Sequence, residues 1–114
     1  MKILLANNED LSTSFTTTPM DTRYLDGFVA TLAVTGSPVG QFIVEGTVDQ
    51  VTWVELTQTS AEMTVTGSPI NYKLNFLQIQ DSYIRITWLS TSGTGNATIW
   101  IAGKALSGMG RIAQ

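Results

Sequence analysis

Apolar and polar residues alternate with a period of two along much of this chain, and no other feature constrains its fold as tightly. A strand sends successive side chains to opposite faces, so such alternation assigns one set to a core and the other outside. Phe28, Ala30, Leu32 and Val34 form one inward set, and Phe42 with Val44 a second, opposed by Gln41 and Glu45. Ile70, Tyr72, Leu74 and Phe76 form a third; Ile84, Ile86 and Trp88 a fourth, with Tyr83, Arg85 and Thr87 outward. Ala97, Ile99 and Ile101 form a fifth, with Thr98, Trp100 and Ala102 outward. Shorter candidates at Leu11 to Thr18, Val51 to Thr57 and Glu62 to Val65 bring the expected total to seven to nine strands. The 17 threonines fit the same reading, because β-branched side chains suit pleated, half-buried surfaces. No stretch sustains a period of 3.6, which argues against β/α architectures.

Turn signals punctuate these runs at Asp26-Gly27, Gly36-Ser37-Pro38, Asp49-Gln50, Gly67-Ser68-Pro69, Gln80-Asp81 and Gly93-Thr94-Gly95. The pentapeptide Val-Thr-Gly-Ser-Pro occurs twice, at Val34 to Pro38 and at Val65 to Pro69. The likeness stops at the proline, so it reads as two corners with one turn chemistry rather than a duplicated half-domain.

Length, 114 residues, points to one domain with a sizeable core. The expected organisation is an N-terminal strand or arm (1–10), a β-sandwich domain (11–104) and a C-terminal tail (105–114). The run Ile3 to Ala6 is stopped by Asn7-Asn8-Glu9-Asp10, too soon for a secretory signal core, and nothing approaches a membrane span. The expectation is a protein made in the cytoplasm without a signal peptide and without a membrane partner.

Zero cysteine and zero histidine remove thiol nucleophiles, imidazole bases and the commonest transition-metal ligands. Glu45 and Glu55 could face each other across a hairpin turning at Asp49-Gln50, but solubilising outward charges account for them better than a glycosidase pair. No Asp-x-Asp-x-Asp run suits calcium, no Ser-x-x-Lys occurs, and Ser92 to Asn96 lacks the lysine of a phosphate loop. The expectation is therefore no enzyme, no metal and no cofactor. A net charge of −3 with six scattered Lys and Arg argues against nucleic acid.

Tryptophan carries more information. Trp88 falls in an inward set, whereas Trp100 falls opposite Ile99 and Ile101; an outward Trp is covered by another segment, meets a protein, or stacks on a sugar. Val44 to Leu56, with its acidic-Gly pair, Asp turn and Thr52-Trp53 strand, resembles a hairpin of small virion proteins of tailed bacteriophages. Ser82 to Trp88, followed by Thr91 to Gly95 and Ala97 to Lys104, resembles the last hairpin of the same jelly-roll or β-sandwich domains, found as capsid decoration (cement) proteins and in head and tail parts. The likeness covers Gly40 to Lys104. It departs at Gln50, where the turn more often carries Gly, and this leaves the turn type open.

What the resemblance implies is an all-β, antiparallel, jelly-roll-like sandwich with extended termini that sits in the virion. Its implied role is decoration and stabilisation of the head shell by protein–protein contacts. Implied partners are the major capsid protein or another virion protein, together with further copies of itself as a dimer or trimer. The expected interface residues are Ile3, Leu4, Leu5, Tyr83, Arg85, Trp100, Met109, Arg111 and Ile112. Two alternatives stand beside this: a tail or baseplate part, and a carbohydrate-binding module in which Trp100 and Tyr83 stack on a sugar.

Overall fold

The computed structural model describes residues 2–56, 62–77 and 81–105. They contain ten strands and no helix: β1 (Lys2–Asp10), β2 (Phe15–Thr16), β3 (Met20–Asp21), β4 (Leu25–Gly36), β5 (Val39–Thr47), β6 (Val54–Glu55), β7 (Glu62–Thr66), β8 (Ile70–Leu77), β9 (Tyr83–Ser92) and β10 (Gly95–Ala105). All pairings are antiparallel. A front sheet has the order β1-β10-β4-β8, and a back sheet has the order β2-β9-β5-β6, with β3 also on β9 and β7 also on β5.

The count exceeds seven to nine because β3, Met20–Asp21, falls outside every segment whose pattern marks a strand, and two of the expected strands are shorter than expected. Leu11 to Thr18 keeps regular pairing only at Phe15–Thr16, after which Thr17 N–H donates to the Ile86 carbonyl while the Thr17 hydroxyl oxygen accepts from Ile86 N–H, and Pro19 interrupts the ladder before β3. In the described part of Val51 to Thr57 the regular strand is likewise confined to Val54–Glu55, with Leu56 N–H bonding the Val44 carbonyl beyond it. Taking β2 with β3 and β6 with β7 leaves eight strand positions. The first pairs with the last, the second with the seventh, the third with the sixth and the fourth with the fifth. A long hairpin wrapped over a barrel gives that order, and it defines a jelly roll.

The alternating sets place the core. Phe28, Ala30, Leu32, Val34, Phe42, Val44, Leu74, Phe76, Ile84, Ile86, Trp88, Ala97, Ile99 and Ile101 are all buried between the sheets. Phe42 lies against Trp88 with centroids 4.6 Å apart, and Phe28 against Phe76 at 4.8 Å. The indole N–H of fully buried Trp88 donates to the Leu11 carbonyl at 2.9 Å, which satisfies a polar group that would otherwise be costly in an apolar layer. Ile70 and Tyr72 depart from the expected inward set. They share a face with buried Val34 and Leu32, yet they remain 36% and 43% exposed, because β8 is the front sheet's edge and no described strand pairs beyond it.

Both copies of the repeated pentapeptide turn out to be corners where the chain changes sheets, from β4 to β5 and from β7 to β8. Each places its glycine in the left-handed region, Gly36 at φ 83° and Gly67 at φ 92°. Gly93 and Gly95 make a third corner, from β9 to β10, at the same end, where Ser37 N–H bonds the Thr94 carbonyl at 2.9 Å. The opposite end carries the β3–β4, β5–β6 and β8–β9 connections, together with Lys2 and Ala105.

Candidate interaction face

The outer face of the front sheet follows from the strand register. Leu4, Trp100, Thr31 and Lys73 lie side by side in one row across β1, β10, β4 and β8. Lys2, Ala102, Val29 and Asn75 form the next row, and Thr98, Ala33 and Asn71 lie on the other side. Leu4 and Trp100 are 40% and 38% exposed, and the Lys2 ammonium sits 4.5 Å from the Trp100 ring centroid, in cation–π range. Small residues leave a shallow depression of about 310 Å³ beside this row, lined among others by Gly27, Val29, Asn75, Ala102 and Gly103. Between the rows there is no carboxylate. Glu9 and Asp10 stand at one end of the sheet and Asp26 at the other, where Asp26 also lines the depression.

The back sheet presents the opposite character. Glu45 and Glu55 do face each other across β5 and β6, as the hairpin reading expects. Glu45 Oε1 accepts from Arg85 Nε at 3.0 Å and from the Thr87 hydroxyl at 2.9 Å, while the Arg85 guanidinium lies 4.2 Å from the Trp53 ring centroid. Glu62 accepts from the Gln41 amide at 2.6 Å. The hydrogen bond between Glu55 and Glu62, with desolvation and repulsion from Glu62 and Glu45, pushes the Glu55 carboxyl above its ordinary value. Asp21 holds Arg23 through both carboxylate oxygens, at 2.7 Å to Nη2 and 3.0 Å to Nε, and Arg23 lies 5.5 Å from the Tyr83 ring. These charges partner one another, so the arrangement is a solvated acidic face.

The residues singled out by sequence are therefore divided. Leu4 and Trp100 meet on the front face. Ile3 and Leu5, in the opposite phase of β1, are half-buried and pack against the core. With Leu4 they also border an edge groove of about 340 Å³ that is closed on its other side by Thr18, Pro19, Met20 and Asp21. Tyr83 and Arg85 project from the back sheet, a sandwich thickness of roughly 10 Å away from the front sheet. Trp100 and Tyr83 thus do not form one stacking platform. Met109, Arg111 and Ile112 lie outside the described residues.

Sequence reasoning missed one group. Val48, Val51 and Val54 are 71%, 81% and 62% exposed around the β5–β6 loop. That loop is held by Asp49, whose Oδ1 accepts from Val51 N–H at 2.9 Å, Thr52 N–H at 3.0 Å and the Thr47 hydroxyl at 2.9 Å. These bonds keep its carboxyl below the ordinary range. Gln50 adopts φ 62°, which answers the turn question: a non-glycine residue takes the left-handed position. The signal was an apolar residue at every third position across a turn, which neither strand nor helix periodicity detects.

The architecture defines a jelly-roll β-sandwich whose front face carries an apolar row around Trp100 and whose back face carries paired charges. No protein-family model matches the sequence, and no curated protein matches it. Among solved structures the chain is similar to the PBSX exported protein XepA, with a TM-score of 0.71 and 12% identity over 94% of this chain. It spans only 38% of the length of XepA. It is also similar to the SPBc2 prophage-derived protein YomS, with a TM-score of 0.60 and 9% identity, covering 89% of this chain and 90% of YomS. At such identities the likeness is one of fold, and the fold is one found in phage-derived proteins.

Proposed function

We propose that this chain is a structural protein of a phage particle, a decoration protein that stabilises the head shell by docking through the outer face of its front sheet. The observation that carries the reading is that face: Trp100 and Leu4 side by side, small residues around them, and Lys2 and Lys73 as charges with no carboxylate between. Desolvating such a surface costs little, and a partly exposed Trp is a frequent anchor of protein interfaces. The partner in this reading is the major capsid protein, and the role is non-catalytic. Kinship of fold with two phage-derived proteins supports it. A tail or baseplate position would use the same face.

The test is co-sedimentation with undecorated capsids. Trp100→Ala is expected to weaken binding about tenfold or more, the effect of losing a hot-spot aromatic. Leu89→Ala, on the back sheet, is expected to leave it unchanged. Equal binding by wild type and Trp100→Ala would remove this face from the account. Deleting the last ten residues asks the same question of the tail.

A further inference from the structure

We propose that two copies of the chain pair edge to edge through β8, antiparallel and with Tyr72 on the two-fold axis, joining their front sheets into one. This deepens the self-association implied by the resemblance, rests on that reading only for the expectation of more than one copy, and centres on Tyr72, which shares the inner face of the sheet with Leu32 and not the docking face.

The front sheet has two edges, and they are built differently. β1 is interrupted by register shifts between Leu4 and Ala6 and between Ala6 and Glu9, and Asn8 takes φ 53°. Bulges of this kind blunt an edge against further pairing. β8 runs in unbroken register against β4 from Ile70 opposite Val34 to Leu77 opposite Gly27, with no bulge and no proline inside it. Its outer edge pairs with no described strand. A regular edge of eight residues with no described strand beside it is a template for another strand.

The sequence of that edge selects the occupant and the register. Two copies of one strand keep their inward and outward sets in phase only when a residue lies on the axis. Centring on Lys73 opposes two ammonium groups, a destabilising pair. Centring on Tyr72 opposes Tyr72 to Tyr72 of the second copy, Ile70 to Leu74 and Asn71 to Lys73, so that apolar meets apolar and each Lys meets an amide. Among the described side chains of β8, the apolar ones left exposed, Ile70 and Tyr72, are the ones this register covers. The axis stands perpendicular to the sheet, and so both Trp100 patches face the same way.

The absence of cysteine makes the test clean. Directly opposed residues of an antiparallel pair lie within reach of a disulfide. Tyr72→Cys is therefore expected to give a covalent dimer on air oxidation, while Trp100→Cys is not. By sedimentation equilibrium the wild type is expected to be dimeric, and Tyr72→Lys is expected to weaken the dimer about tenfold or more while leaving the circular dichroism spectrum unchanged. A wild type that stays monomeric at every accessible concentration overturns the proposal. So does a dimer indifferent to Tyr72→Lys, or oxidation that cross-links Trp100→Cys in place of Tyr72→Cys. Capsid binding by Trp100→Ala reports on the docking face and sedimentation on β8, so the two readings fail separately.

Discussion

Trp88 shows how much one side chain organises this fold. Its ring closes the centre of the core against Phe42, its N–H ties down the Leu11 carbonyl, and its edge fills the space left by the missing side chain of Gly40. A Cβ at residue 40 would lie 2.6 Å from that ring and would also strike the Leu89 carbonyl oxygen. Trp88→Phe is expected to cost about 3 kcal/mol, from the smaller ring and the carbonyl left unpaired, as read by urea denaturation. Glu55 gives a pH signature of opposite sign to most carboxylates. Its folded-state value is raised by Glu62, so its contribution to stability is greatest below its unfolded value and is lost as pH rises through the folded one. Glu55→Gln should therefore raise the urea midpoint relative to wild type at neutral pH, with the gap closing as the medium is acidified. Asp49 and Asp21, both held below their ordinary values, act the other way and are common to both proteins, so the difference isolates Glu55. That Trp88 faces inward was legible from its phase with Ile84 and Ile86. Its partner at Leu11 was not, because that contact joins segments 77 positions apart and has no local signature.

At the scale of elements, the repeated pentapeptide offers a controlled comparison. Gly36 and Gly67 adopt similar left-handed conformations in identical sequence, but their surroundings differ. A Cβ on Gly67 would meet Val39 at an ordinary 3.6 Å, whereas one on Gly36 would lie 2.7 Å from both Gly95 Cα and the Thr94 carbonyl oxygen. Gly67→Ala is expected to cost about 1–2 kcal/mol, the conformational strain alone, and Gly36→Ala clearly more; the thermal midpoints of the two variants check the order. Turn chemistry was readable at both corners, and so was the change of direction. What was hidden is that each corner changes sheet, since a glycine and a proline specify a bend without specifying what lies beyond it. The strands behaved similarly. Long alternating runs such as Ile84 to Trp88 were plain, whereas Leu11 to Thr18 read as a full strand and pairs regularly only at Phe15–Thr16, with a separate short strand, β3, beyond Pro19. Ile70 and Tyr72 kept their phase but not their burial, since period alone does not say whether a strand is central or at an edge.

For the whole molecule, the wrapped hairpin distributes charge unevenly: Lys2 and Lys73 flank the Trp100 row on the front, with Glu9, Asp10 and Asp26 at the ends of that sheet, while Glu45, Glu55, Glu62 and Asp21 share the back with Arg85 and Arg23. The share of front-face docking contributed by the exposed Lys2 and Lys73 should weaken as salt is raised from low to about 0.5 M, because exposed charges are screened beyond a few ångströms there. Pairing through β8, made of backbone bonds and apolar contacts, should change little over the same range, so one titration followed by both co-sedimentation and sedimentation equilibrium separates the two. This polarity was invisible in a net charge of −3, which sums over faces that only the topology distinguishes.

The jelly-roll order also makes β1 and β10 neighbours, with Lys2 beside Ala102, so the chain enters and leaves the described sandwich at one rim. A short loop could join those two points and new ends be opened at the Val48 to Val51 tip, giving a circular permutant that keeps every core contact. Cargo fused at either point would emerge on the same side. A particle coated with this module would then carry both kinds of fusion as a single outer layer.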